Sequence, residues 1–398
     1  MSSQRVVLPL FSLTVFFIGA TEFMLSPMLK PLSEAFNTTI DEAIWLVSSY
    51  VLAYALAAPI FGWLSDRINR RKLLLVSLLF LSLDGLALTI APNLEIAIGL
   101  RILGGIASAA LIPTIFALIA EIFPPYKHTS VMGVVMFGMT VGIAAGPILA
   151  GILTELFHWK LPFLATTAGG FLLFLISRKY IPSQIYVRKK EHRMDVSQWI
   201  RQGKLIRPLV AKGFWNGTTM STFILAGEVL RQHYELSTGG IGISVSAFGI
   251  GLGLGNLSVS MIKHLYIREE KILLLMIVLL FSTISAFMLL PFSLLFSFFC
   301  LVLSGVSLGF SAPISTSILV NRAKQNKGQI LAVSESLNNL TIFFLLPIAT
   351  MLLTQHGIAV TMIILGICLI TGVGLTLIDI LVTESPIHVH ERYKHDKK

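Results

Sequence analysis

Charge is what this 398-residue sequence has least of. Asp, Glu, Lys and Arg make up 13% of it, about half of the ~25% usual in soluble domains. With 55% hydrophobic residues there is too little polar surface to clothe a water-soluble body, so a soluble globular protein is excluded. Cysteine is almost missing. Cys300 and Cys368 both fall in apolar runs, without the spacing of a metal or redox site. No Gly-rich phosphate loop ending in Lys-Ser or Lys-Thr occurs, so ATP-driven pumping is not expected. No Ser, Cys or His arrangement points to hydrolysis, and the chain is not read as an enzyme.

Long apolar runs are there instead, with a mean hydropathy of +0.83. A helix needs about 20 apolar residues to cross a bilayer. Spans are expected near 6–29, 42–64, 72–91, 94–121, 130–153, 160–177, 209–230, 240–262, 271–291, 293–320, 328–353 and 358–382. The first run is too long for a cleavable leader and reads as a retained span. The fold class expected is therefore all-α integral membrane, with twelve transmembrane helices. The formal charge of +10 sits in the joints between runs, which fits anchoring at an inner leaflet better than nucleic acid. Arg5, the loop from Arg67 to Lys72, Lys127, Lys263, Arg268, Arg322, Lys327 and the tail from Arg392 fall on one side. Both termini are then cytoplasmic, in a multi-pass protein of the cell membrane.

The chain divides at a basic stretch. Residues 1–177 form a first six-helix bundle, 178–207 a basic cytoplasmic linker, 208–382 a second bundle and 383–398 a cytoplasmic tail. A short amphipathic helix is expected in the linker around Val196 to Ile200. Leu103, Gly105 and Pro113 recur as Leu303, Gly305 and Pro313, an offset of 200, and Phe23 and Pro147 recur as Phe223 and Pro347 at the same offset. Repeats of this kind give halves related by pseudo-two-fold symmetry, with cargo held near the midplane between them.

One joint carries a dense motif, Gly62-Trp63-Leu64-Ser65-Asp66-Arg67-Ile68-Asn69-Arg70-Arg71. It resembles the loop between spans two and three of the major facilitator superfamily, G-x-L-[AS]-D-[RK]-x-G-[RK]-[RK], departing at Asn69. Asn tolerates a left-handed backbone, so a tight turn is expected there. The resemblance implies a conformational latch made by Gly62, Asp66, Arg67, Arg70 and Arg71. In the second half Ile262 to Arg268 stands where Gly62 to Ile68 stood, so the working residues are expected in the first half.

In span five Gly138, Gly142, Gly146, Ala150 and Gly151 recur at helical spacing. They make a smooth face for a neighbour, and Pro147 bends the helix. Gly142, Gly146, Pro147 and Gly151 resemble the motif G-x-x-x-G-P-x-x-[GA]-G, which marks antiporters of the superfamily and implies efflux rather than uptake.

Acids and bases inside spans are functional candidates by default. Glu22 lies 17 residues after Arg5, about 25 Å along a helix at 1.5 Å per residue. There it must pair, reach water or take a proton. Its stretch Ile18 to Phe23 is similar to G-x-T-E-F of the proton-coupled drug and sugar efflux branch. Arg101, near the outer end of span four, either belongs to a charge network or snorkels to head groups. The family pattern there is R-x-x-Q-G, and Gly104 stands in place of the Gln, removing a side chain that would hold water or a proton. Glu22, Arg101 and Asp84 are the proton-coupling candidates. Glu335, Asn338 and Asn339 in span eleven are candidate substrate contacts. Glu228 and Asp379 lie close to span ends and are expected to snorkel or to face loops.

The function implied is a proton-coupled antiporter exporting a small amphipathic or drug-like molecule by alternating access. A proton-coupled exporter of a sugar or other metabolite, or a lipid or glycolipid flippase of the same fold, stands as the alternative. The expected partners are a small-molecule substrate, protons and the lipid bilayer, with no nucleic acid. The chain is read as a monomer without cofactor or metal.

Overall fold

The computed structural model describes residues 2–64, 68–182, 202–262, 267–323 and 327–384. Its helices are α1 (Ser2–Phe23), α2 (Leu25–Ala35), α3 (Ile40–Ala43), α4 (Trp45–Leu64), α5 (Arg70–Ile90), α6 (Leu94–Ile122), α7 (His128–Leu156), α8 (Leu161–Tyr180), α9 (Gly203–Tyr234), α10 (Thr238–Ile262), α11 (Glu269–Leu289), α12 (Leu294–Arg322), α13 (Lys327–Gln355) and α14 (Ile358–Glu384). Eleven of them are long and apolar enough to cross a membrane. The long helix outside that set is α9, which buries Lys212, Asn216, Thr218, Thr219, Ser221, Thr222 and Glu228. Its polarity is turned inward, so it fails an apolarity test without being a surface helix.

Polar residues at the joints start the helices. Asn69 Oδ1 accepts from Lys72 N at 3.1 Å, Asn93 Oδ1 from Ile96 N at 2.9 Å and Ser293 Oγ from Phe296 N at 3.1 Å. Each satisfies a donor that the first turn leaves free. The expected left-handed turn at Asn69 is not used, because its φ is −62° and its side chain caps α5. The first span is also not one straight helix. It breaks at Met24 and continues as α2 to Ala35. Pro27 lacks an N–H and crowds the carbonyl four residues back, at Phe23. The linker expected at 178–207 is shorter at both ends, since α8 runs to Tyr180 and α9 starts at Gly203. The helix expected at 196–200 lies outside the described residues.

The packing repeats. Helix α1 packs on α7, α4 on α6, and α5 on α6 and α8; in the same way α9 packs on α13, α10 on α12, and α11 on α12 and α14. Two broad contacts join the sets, α7 with α10 and α4 with α13. The recurring Gly105 and Gly305 do the same job in each set. A side chain on Gly105 would strike the carbonyl of Tyr50 on α4, and one on Gly305 the carbonyl of Phe248 on α10. The glycine stripe of α7 is divided between two neighbours. Gly138, Gly142 and Gly146 lie against the backbone of α1 at Ser12, Phe16 and Ala20, whereas Gly151 and the Pro147 carbonyl meet α10 at Gly242.

That close approach makes a stability prediction. A methyl group on Gly142 would sit 2.9 Å from Ala20 N, so Gly142→Ala should cost about 1–3 kcal/mol through overpacking. Gly133 on the same helix has open space around it, and Gly133→Ala should be neutral or slightly stabilising. Thermal unfolding of the two purified variants in detergent checks the contrast.

Candidate functional site

Three helices meet at Arg101. It lies on α6, 1% exposed, and Asp84 comes from α5 with its carboxylate 2.6 Å from Nη1. Nε donates to the Leu46 carbonyl at 3.2 Å. The guanidinium carbon stands 4.2 Å from the ring centroid of Tyr50 on α4, a cation–π contact. Arg101 therefore does not snorkel. The reason lies in Gly104, one turn along α6. A side chain there would run into the Asp84 carboxyl group. Gly104 makes room for an acid from the neighbouring helix, and Arg101 gains a charged partner.

Glu22 on α1 is partly exposed. The charges that act on it are Arg101 and, from the second half of the chain, Glu335. Tyr54 on α4 senses Glu22 and Glu335 together. Glu335 on α13 is half-open, its side chain 51% exposed against 3% for Lys212. Lys212 Nζ lies 3.1 Å from Glu335 Oε1, and Asn338 Nδ2 donates to Oε2 at 3.3 Å. Asn339 turns to its own helix and donates to the Glu335 carbonyl at 2.9 Å. So Asp84 and Arg101 form a buried pair, Lys212, Glu335 and Asn338 a half-open polar cluster that Asn339 braces, and Glu22 lies within electrostatic reach of both. Lys212, Tyr50 and Tyr54 were not anticipated. A lysine inside an apolar run was the available signal for the first; nothing distinguishes the two tyrosines in sequence.

The loop motif is seen in part. Asp66 and Arg67 lie outside the described residues. Arg70 at the start of α5 pairs with Glu121 at the end of α6, and Arg71 Nη2 donates to the Arg178 carbonyl of α8 at 2.6 Å. Gly62 comes within reach of Ala332 on α13, whose Cβ would be 4.0 Å from a side chain there. The second half has not gone without such a cluster, contrary to expectation. Glu270 opens α11 as Arg70 opens α5, and Arg322 ends α12 as Glu121 lies near the end of α6. Arg322 contacts Glu270 at 3.5 Å and Asp379 at 2.7 Å, and Arg207 contacts Asp379 at 3.1 Å. The signs are exchanged between halves. Asp379, 4% exposed, and Glu228, 6% exposed and 2.9 Å from Arg231, are buried ion-pair members rather than loop-facing groups.

The face opposite the chain termini is fastened between halves. Ser26 Oγ on α2 donates to the Phe223 carbonyl of α9 at 3.0 Å and accepts from Gly227 N at 3.3 Å. Glu155 at the end of α7 accepts from Gly239 N in the first turn of α10, where a carboxylate also meets the positive end of the helix. Thr354 Oγ1 donates to Asp41 Oδ1 at 2.6 Å. A cavity of about 390 Å³ opens at this face, rimmed by Lys30, Glu34, Arg231 and Glu235; it is separate from the buried pair and from the half-open cluster.

Long apolar helices that hold paired charge in their middle, between two similar packing units, define a polytopic membrane protein. Residues 11–227 match the sequence model of the Major Facilitator Superfamily, and the chain belongs to that family. It is 34% identical over 173 residues to the uncharacterized MFS-type transporter YceJ of Bacillus subtilis, covering 44% of each chain. It is 33% identical over 142 residues to the probable multidrug resistance protein EmrY of Escherichia coli, covering 35% of this chain and 27% of that one. The aligned parts thus span less than half the length of these curated relatives. In fold it is similar to the crystal structure of a bacterial homologue of the human lysosomal transporter Spinster, in an inward-facing and occupied conformation, with a TM-score of 0.74 over 95% of this chain and 97% of that one at 15% identity.

The fit of Asp84 against Gly104 is testable as a double-mutant cycle. Asp84→Ala should lower stability by about 3–5 kcal/mol, because it leaves Arg101 buried without its counter-charge. Gly104→Ala should cost about 1–3 kcal/mol by crowding Asp84. The double variant should lose less than the sum by at least about 1 kcal/mol, as read from thermal unfolding of the purified proteins.

Proposed function

We propose that the chain is a proton-coupled antiporter that exports a small amphipathic or drug-like molecule by alternating access. Its helices are read as twelve spans in two six-helix bundles, with α9 as the polar seventh span. It sits in the cell membrane as a monomer with both termini in the cytoplasm. The observation that carries the reading is charge paired inside apolar helices of both bundles, Asp84 with Arg101 in the first and Lys212 with Glu335 in the second. Glu22 takes a proton from outside and yields it inside, and its charge state sets its hold on cargo. The names of relatives, multidrug resistance among them, support efflux of a drug-like molecule over uptake.

Alternating access needs two rigid bodies and few bonds between them. Arg70 with Glu121 and Arg71 with the α8 end tie the first bundle together at the terminal face; Arg322, Glu270, Asp379 and Arg207 do so in the second. The loop from Gly62 to Arg71 is the latch between them, with Gly62 beside α13. The contacts of Ser26, Glu155 and Asp41 close the outer face in this state. One proton crossing 100 mV is worth about 2.3 kcal/mol and one pH unit about 1.4 kcal/mol. Together these support a cargo gradient of a few hundred-fold.

The test is Glu22→Gln in proteoliposomes with ethidium as the probe. Transport driven by a pH gradient should fall at least about tenfold, while ethidium counterflow without a gradient persists. Undiminished gradient-driven transport would remove Glu22 from the coupling step.

A further inference from the structure

Helices α1 and α9 hold corresponding places in the two halves, α1 on α7 and α9 on α13, and Phe23 of one recurs as Phe223 of the other at the offset of 200. Each rung of an α-helix joins the carbonyl of one residue to the N–H of the fourth residue after it. In the first half the rung from the Phe23 carbonyl is absent for good. Its donor would be Pro27, which has no N–H, and the helix breaks there, at Met24, into α1 and α2. The same offset puts Gly227 where Pro27 stands in the first half. Helix α9 runs through this point unbroken, from Gly203 to Tyr234.

The corresponding rung of α9, Phe223 to Gly227, is met by a side chain from the other half. Ser26 Oγ donates to the Phe223 carbonyl at 3.0 Å and accepts from Gly227 N at 3.3 Å. One hydroxyl thus bonds both ends of a single rung. Ser26 is 2% exposed, so the contact is shielded from water. A side chain on Gly227 would strike the Ser26 carbonyl, so the approach needs glycine. The rings of Phe23 and Phe223 lie 5.3 Å apart between centroids, and the two equivalent positions therefore face each other across the joint. Helix α9 is fastened to different neighbours on the two sides of this rung. Towards the terminal face Lys212 holds Glu335 of α13 and Arg207 holds Asp379 of α14. Towards the opposite face Tyr234 Oη and Ser297 Oγ of α12 lie 2.9 Å apart. A side chain that enters a helical ladder is a known cause of bending.

We infer that the rung from Phe223 to Gly227 is a hinge in α9, the switchable counterpart of the permanent break at Met24, and that the Ser26 hydroxyl operates it. With the joint made, Ser26 draws hydrogen bonding away from the rung and α9 bends there. With the joint parted, the carbonyl and the N–H return to each other and α9 stiffens. Opening then exchanges bonds instead of only losing them, because the intrahelical bond takes over from the two made with Ser26. The hinge rests on the alternating-access reading and refines it: the part of α9 beyond Gly227 turns against the rest of its own half. Ser26 acts through α9 and is a positioning residue.

The experiment measures distances between paired nitroxide labels on the full chain in detergent, with Cys300 and Cys368 replaced by Ala. Glu95→Cys with Gln232→Cys, both at exposed positions, spans the joint between halves. Gln232→Cys with Gln355→Cys lies within the second half, between the ends of α9 and α13. Ser26→Ala lets the rung revert to α9. It should raise the population with the longer Glu95–Gln232 distance about three- to tenfold, the worth of about one hydrogen bond. The Gln232–Gln355 distance should change in the same proportion of molecules. If Ser26→Ala fails to fold, Gly227→Ala, whose methyl group drives Ser26 off the rung, should give the same two changes. A Gln232–Gln355 distance that stays fixed while the first pair opens makes the second half rigid and overturns the hinge. A Ser26→Ala chain identical with the parent in both pairs also overturns it. The two readings fail separately. If the Glu95–Gln232 distance holds at one value in acid and in base, with and without ethidium, while Gln232–Gln355 still shifts in Ser26→Ala, alternating access falls and the hinge stands.

Discussion

A guanidinium cannot rest unpaired among apolar helices, and Arg101 is where the first half of this molecule meets that constraint. Leaving such a charge without its partner costs about 3–5 kcal/mol, a sizeable share of the stability of a whole domain. The pair with Asp84 therefore fixes the register of α5 against α6. Tyr50 and the Leu46 carbonyl bring α4 into the same contact. Gly105, one residue beyond Gly104, lets α4 close down on α6 at the Tyr50 carbonyl. A pair of adjacent glycines thus serves two helices at once, one making room for a carboxylate and the other for a backbone.

Glycine does the equivalent work elsewhere. In the second half small residues hold α10 to α12, with Gly251 and Gly255 of α10 against the carbonyls of Val302 and Val306, and Gly305 and Gly309 of α12 against those of Phe248 and Leu252. Among apolar helices in lipid, van der Waals contact between backbones replaces the hydrophobic drive that water would supply. The place that corresponds to the α5–α6 ion pair is the α11–α12 contact, where Ser304 Oγ donates to Thr283 Oγ1 at 2.8 Å.

Much of this was legible beforehand. Runs of apolar residues gave helices and their starts to within a few residues, because length is a local property; the cap at Asn69 was missed, since Asn serves a turn as readily as a helix start. The stripe Gly138, Gly142, Gly146 was readable as a contact face for the same reason. Pairings were not legible. Asp84 and Arg101 stood out singly, but their meeting depends on how two antiparallel helices align, and the space left by Gly104 looked like a loss. Asp379 was misread because its partners Arg207 and Arg322 lie far off in sequence and sat among bases attributed to a linker and a loop. Lys212 escaped notice for a related reason: its partner Glu335 is 123 residues away.

The distribution of bonds bears on how such a molecule moves. Within each half the terminal face is cross-braced: an ion pair and a hydrogen bond join α5, α6 and α8 in the first, and ion pairs join α9, α11, α12 and α14 in the second. Between halves the described polar contacts at the opposite face are hydrogen bonds at Ser26, Glu155 and Asp41, each worth about 0.5–1.5 kcal/mol net. Away from that face Ser336 Oγ donates to the Ala55 carbonyl at 2.8 Å and Asn256 Nδ2 to Thr140 Oγ1 at 3.3 Å, beside the broad contacts of α7 with α10 and α4 with α13.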